Sequence, residues 1–222
     1  MRILHYSLGF PPYRTGGLTK YCTDLMLEQV EQGNEVSLLW PGEIRILAEK
    51  TKIKNRKKWN GIGSFEIINP LPVPLDEGIA DIDVYTKAVD EGIYEEFLKA
   101  QKLDAIHIHS LMGLHKEFLM AAHKLGIRTV FTSHDYFGIC PKVTLYHDGV
   151  VCDNDHHCSD CVQCNQTALS LKKIMVLQSP IYRKVKNTAI VKAMRKRHRQ
   201  EFFDDAADTK NEAVETGNVA GR

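Results

Sequence analysis

Histidine and cysteine are the two residue types in this chain whose placement speaks of chemistry. His134-Asp135 directly follows the stretch 129–133, which reads as a strand. A histidine at a strand end can carry a proton or hold an oriented hydrogen bond; the plain alternative is a ring that only packs. His107 and His109 alternate within the preceding strand and therefore share one face. His109, nearer the strand end, is the better site candidate, and His107 reads as a satisfied core group. Gly16-Gly17 stands just before a helix, where backbone N–H groups can approach an anion with the helix dipole behind them. A simple turn has the same spelling, and the stretch is not G-x-G-x-x-G.

Five of the six cysteines lie between 140 and 164, and Cys22 stands alone. Cys152, Cys158, Cys161 and Cys164 give C-x5-C-x2-C-x2-C, with Cys140 twelve residues earlier. Two-residue spacings suit tetrahedral zinc or an iron–sulfur cluster. So many thiolates would close a coordination sphere, which fits a structural knot on a long loop better than a catalytic metal. Disulfides or free thiols are the alternatives. A redox Cys-x-x-Cys centre fits poorly, because these cysteines do not sit at a strand–helix junction that would activate a thiolate.

Charge is unevenly spread. The 222 residues carry 29 Lys or Arg and 28 Asp or Glu, a net +1. Residues 161–200 nevertheless hold ten of the cations and no acid. Ile174, Met175, Val176, Leu177, Ile181, Val185, Ile190, Val191 and Met194 interleave with them. That mixture suits an anionic membrane surface or a lipid diphosphate, or else a solvated helix face. No groove-reading motif accompanies it, so nucleic acid is not an expected partner. No run of 18 or more apolar residues occurs, and no transmembrane helix is expected. Gly9, Pro11 and Pro12 interrupt the N-terminus too early for a signal-peptide core, which leaves a cytoplasmic location as the expectation.

These residues need elements to position them. Residues 2–7 read as a strand, 18–32 as a helix stopped by Gly33, and 35–40 as a second strand, the length of a βαβ unit. A basic stretch, 50–58, precedes an expected strand at 64–68. Residues 81–102 are helical by pattern, 104–109 a strand, 113–125 a helix and 128–133 a strand. Strands alternating with helices predict an α/β fold with a doubly wound parallel sheet. At about 100–200 residues per domain the chain is one good-sized domain with appendages. The expected division is a lobe over 1–165 with a Cys-rich insertion at 134–165, a basic helical segment at 166–203, and a frayed tail at 204–222. In an open parallel sheet, ligands bind beyond the carboxyl ends of the strands, so the loops at 7–17, 110–113 and from 134 onward should converge.

Taken together, the motifs resemble the N-terminal lobe of family 4 glycosyltransferases. Met-Arg-Ile-Leu-His, the loop PPYRTGGLTKY and LMLEQVEQGNEVSLLW resemble its opening. DAIHIHSLMGL and GIRTVFTSHDYFGICP are similar to its second half, and CPKVTLYHDGVVC resembles a Cys-bearing insertion of some members. The likeness covers residues 1–165 and implies the GT-B architecture of two Rossmann-like lobes facing a cleft.

The resemblance further implies a hexosyltransferase that moves a sugar, with retention, from a nucleoside diphosphate sugar to a lipid-linked or polysaccharide acceptor. Such work is done at the inner membrane face, which fits the basic segment. Gly16 and Gly17 match the glycine loop that meets the donor's diphosphate. His134, with Asp135 after it, matches the catalytic histidine position, and His109 and Tyr136 fall on the acceptor side. The family's other lobe carries the nucleotide and a Glu-x7-Glu signature, and no such lobe is expected within these 222 residues. The expectation is therefore a lobe that needs a separate C-terminal donor lobe for full activity. A stand-alone module that binds a glycan or lipid acceptor without turnover is the alternative.

Overall fold

A computed structural model describes residues 1–193 except 46, 49, 75–77, 80, 141, 148, 149, 154–160, 166, 167, 190 and 192. The expected tail at 204–222 and Cys158 lie outside the described residues. Two compact units are present, Met1–Pro180 and Ile181–Arg222.

The first unit is built on a six-stranded sheet. β1 (Arg2–Tyr6) leads into α1 (Gly17–Glu31) and β2 (Glu35–Pro41). β3 (Lys52–Trp59) and β4 (Ile62–Ile68) form a hairpin, followed by α2 (Ile82–Tyr85) and α3 (Gly92–Gln101). β5 (Ala105–Ile108), α4 (Lys116–Lys124) and β6 (Arg128–Phe131) complete the alternation. The strand order is β3-β4-β2-β1-β5-β6, and every neighbouring pair is parallel except β3 with β4. The doubly wound α/β reading therefore holds, with one antiparallel edge. The chain leaves β1 toward β2 on one side and places β5 on the other, so the carboxyl ends of β1 and β5 flank the topological switch point, where such sheets bind ligands.

Strand alternation sorts the side chains into two layers. Leu4 and Tyr6 of β1, Leu39 of β2, and Ile106 and Ile108 of β5 pack with Tyr94, Leu98, Phe118 and Ala121 of α3 and α4. Val36, Leu38 and Trp40 face the other way and meet Cys22 and Met26 of α1. His5, His107 and His109 have the opposite phase to Leu4, Tyr6, Ile106 and Ile108, which puts them on the α1 side.

The basic stretch, for which no element was expected, is β3, paired antiparallel with β4 from Lys52 opposite Ile68 to Trp59 opposite Ile62. An edge strand can carry lysines on both faces because only one side of it is covered. The single helix expected over 81–102 is broken. Thr86 Oγ1 donates back to the Ile82 carbonyl and ends α2, and the Asp90 carboxylate accepts from Gly92 N at 2.9 Å and starts α3. Such local side-chain bonds compete with continuous helix. α4 starts three residues late because Gly113 has φ +76, outside the helical region, with Pro41 and Val73 packed against it.

Beyond β6 lie a two-stranded ribbon, β7 (Tyr146–His147) with β8 (Val150–Val151), the single turn α5 (Cys161–Cys164), and α6 (Leu171–Leu177). Ile174 anchors α6, and Gln178 accepts from Ile44 N through its carbonyl and from Val73 N through its side chain. The second unit contributes most of α7 (Pro180–Val185), whose last turn carries Arg183 and Lys184. Where it is described, the basic segment carries α6 and α7 as separate short helices. No described helix is long and apolar enough to cross a membrane.

Candidate functional site

The loop from β1 to α1 is held by Phe10, which is buried, stacks on Trp59 at 4.8 Å and meets Trp40 edge-on. This anchor delivers Gly16 to the N-cap of α1 at φ 120, a conformation that suits glycine. Gly16 and Gly17 are exposed, and a Cβ on either would meet open space. No side chain caps the helix and no acid lies in its first turn. One turn on, the Tyr21 ring meets the His134 ring at 4.8 Å, so the glycine loop and the end of β6 come together as the sheet topology demands.

The histidines form a chain. His5 is fully buried on β1, opposite His107 of β5 in the parallel register. Its Nε2 lies 2.7 Å from Gln29 Oε1 on α1, and its Nδ1 lies 2.9 Å from His109 Nε2. The His5 and His109 rings stack at 5.2 Å with 9° between their planes. His109, also fully buried, continues through Nδ1 to Nε2 of exposed His134 at 3.3 Å. His107 branches to Thr132 Oγ1 at 2.8 Å. The expectation for His109 therefore gains a detail: it reaches the open edge of the sheet through His134.

Burial dominates the electrostatics of this chain. It holds His5 down to about 4, with the charge of His107 adding to it and the Gln29 bond opposing it. His109 is held down to about 3, by burial first and then by His107, His5 and His134. Both rings are therefore neutral near pH 7, with one N–H each. Gln29 Oε1 can only accept, so His5 Nε2 donates and its Nδ1 accepts. His109 Nε2 must then donate, its Nδ1 accepts, and His134 Nε2 donates. A glutamine on the far side of the sheet face thus leaves His134 Nδ1 as the acceptor at the exposed end.

Asp135 plays a different part from its neighbour. Its carboxylate accepts from Phe137 N at 2.9 Å, and its carbonyl accepts from Ser133 Oγ at 2.7 Å. Phe137 in turn packs against Val73, Met112 and Val143. Asp135 thereby fixes the turn that presents His134. Tyr136 is 48% exposed and is held by its backbone N–H on Val143 O. The loop after β5 is fixed by Tyr6 OH donating to Met112 O at 2.8 Å and by Met112 N donating to buried Ser110 Oγ.

Among the described residues, Cys140, Cys152, Cys161 and Cys164 do not gather three donor atoms within metal reach. Two other sets do: His5 with His107 and His109, and Cys22 with His109 and His134, each within 4.8 Å. His5, Gln29 and Cys22 escaped the sequence reading as site residues. The signal was present, because His5-x-Ser7 and His107-x-His109 put histidines in one phase on two strands, and Cys22 and Gln29 lie seven residues apart on one face of α1.

Curated proteins give no significant match to the chain. The family model described as Glycosyltransferase Family 4 matches residues 15–151, a span that runs from the glycine loop through α1, β2, β5, β6 and His134 to β8. The glycine loop, the parallel sheet and the histidine beyond β6 are thus the parts of a lobe of the Glycosyltransferase Family 4, and this chain belongs to that family.

Proposed function

We propose that this lobe takes part in retaining transfer of a hexosyl group from a nucleoside diphosphate sugar to a hydroxyl of a lipid-linked or polysaccharide acceptor. The observation that carries the reading is exposed His134, held against α1 by Tyr21 and left with an acceptor nitrogen by the buried chain to Gln29. His134 Nδ1 accepts a hydrogen bond from a sugar or acceptor hydroxyl, which orients that oxygen toward the anomeric carbon. The leaving diphosphate departs with the electron pair of the broken C–O bond. Its charge is met in part by the uncapped N–H groups at Gly16, Gly17 and the start of α1. His109 acts through His134, and Asp135 through the turn it caps. Tyr136 offers an exposed ring beside them on the acceptor side.

Transfer of this kind rests on positioning and charge stabilisation, and the nucleotide falls to a separate C-terminal donor lobe. Exposed Lys172, Lys173 and Val176 of α6, and exposed Lys184 and Ile181 of α7, support a peripheral place on an anionic inner membrane face from the cytoplasmic side. A structural zinc on Cys152, Cys158, Cys161 and Cys164, with Cys140 nearby, belongs to the same reading and is tested by metal content.

Joining the chain to a donor lobe and measuring sugar transfer tests the central claim. His134→Ala should lower turnover by about 10²-fold or more, the scale of a positioned proton-handling group. Turnover within a factor of three of the parent removes His134 from the chemistry. Acceptor binding that persists with no turnover in any pairing favours a stand-alone binding module.

A further inference from the structure

We propose that Cys22, His109 and His134 form a binding site for a borderline-soft divalent cation, Zn²⁺ in the first place, at the open edge of the sheet. One donor atom from each of the three lies within 4.8 Å of the others. The His109 Nδ1 to His134 Nε2 separation of 3.3 Å matches the edge of a tetrahedron built on Zn–N bonds of about 2.0–2.1 Å. Sulfur and imidazole favour zinc, cobalt or nickel over magnesium, calcium or manganese. Three protein ligands leave the fourth position open.

The supporting shell is already in place. A ligating histidine usually donates its other N–H to a fixed acceptor, which orients the ring. His109 does so: its Nε2 donates to His5 Nδ1, and His5 Nε2 donates to Gln29 Oε1. His109 Nδ1 therefore bears a lone pair. Because burial holds His109 down to about 3, protons do not compete for that lone pair at neutral pH. Cys22 is buried beside Ser7 and its thiol is pushed up to about 11, so it stays protonated until a cation arrives. Binding then breaks the S–H bond, releases the proton to solvent and forms the metal–sulfur bond. His134 is exposed and gives the cation its way in; its ring changes tautomer, Nε2–H giving way to Nδ1–H, so that Nε2 ligates, and the acceptor role of Nδ1 is suspended while the cation is bound. The other donor set, His5, His107 and His109, has no exposed member through which a cation could enter. Binding at Cys22, His109 and His134 does not depend on the transfer reaction.

Cobalt(II) added to the chelator-treated 222-residue chain is the probe. The expected result is a tetrahedral visible spectrum with a thiolate-to-cobalt charge-transfer band, lost on adding Zn²⁺ and unaffected by Mg²⁺. Because other cysteines can also bind cobalt, the decisive quantity is the difference between the parent and Cys22→Ser. One equivalent of charge-transfer intensity should vanish in Cys22→Ser while near-UV circular dichroism is retained. Equal intensity in the two proteins overturns the proposal. Should Cys22→Ser not fold, a chain with Cys140, Cys152, Cys158, Cys161 and Cys164 all replaced by serine leaves Cys22 the only thiol. In either background, exposed His134→Ala should weaken cobalt binding by tenfold or more, and an affinity within twofold of its parent overturns the site.

Discussion

Replacing Gln29 by leucine removes the one acceptor that sets the order of donors along the histidine chain. Gln29 Oε1 receives His5 Nε2–H at 2.7 Å, and His5 is fully buried, so leucine of similar size leaves that N–H without a partner. An orphaned buried donor costs about 1–3 kcal/mol. At about 2–4 °C per kcal/mol for a unit of this size, the melting temperature should fall by about 2–12 °C. A second effect is sharper than the first. Without Gln29 the chain can run in reverse, with His5 Nδ1 donating to His109 Nε2 and His109 Nδ1 donating to His134. A bond worth about 1.4 kcal/mol weights the two orders tenfold, so its loss should bring them to comparable populations. Nitrogen-15 shifts of the imidazoles read this directly: His109 Nδ1 should be pyridine-like in the parent and averaged toward pyrrole-like in Gln29→Leu. Gln29→Glu keeps an acceptor-only oxygen and should restore the parent pattern. A Gln29→Leu protein within 0.5 kcal/mol of the parent, with His109 Nδ1 still pyridine-like, refutes the idea that Gln29 orders the chain.

Other expectations follow from the same structure. His5, His109 and His115 are buried with values held down to about 4, 3 and 4 against an ordinary 6.5, His115 by burial and then by the charge of Lys87. The unfolded chain therefore binds protons that the folded chain refuses, and stability is lost as pH falls from 6.5 toward 4. The loss should be about 1.4 kcal/mol per ring at pH 5.5, seen as a falling urea midpoint. A midpoint flat from pH 7 to 5.5 contradicts it. Gly113→Ala places a Cβ 2.6 Å from Pro41 Cβ at φ +76 and should destabilise by about 1–3 kcal/mol, whereas Gly17→Ala, with open space around it, should cost little in the same melt. Flotation with anionic liposomes at low salt should carry the protein upward, and replacing Lys172, Lys173, Arg183 and Lys184 together by glutamine should abolish it; equal flotation assigns those cations to a solvated surface.

Much of the sheet was legible because its signals are local. β1, β2, β5 and β6 are short apolar runs set off by Gly33, Gly113 and Gly126, and α1 shows a clean apolar stripe. β3 was not legible, since Lys52, Lys54, Arg56, Lys57 and Lys58 hide the alternation that a half-covered strand usually shows. The split of α2 from α3 turns on two side-chain bonds, from Thr86 and to Asp90, that cannot outvote helical periodicity when the sequence is read in windows. At the site, His134 and His109 could be found from strand ends alone. Their coupling could not, because Gln29 and His5 are 24 residues apart and His5 and His109 are 104 apart. Only the parallel register of β1 with β5 makes one array of them.

The two edges of the sheet differ in a way that bears on aggregation. β3 closes one side with a row of lysines and arginine, which repels any further strand. β6 closes the other with four residues that are all exposed, Val130 and Phe131 among them, and it pairs only with β5 among the described residues. Lateral growth of this sheet is therefore one-sided. A chain misassembling in concentrated solution will do so through β6, and a lysine at Val130 is the smallest change that gives both edges the same protection.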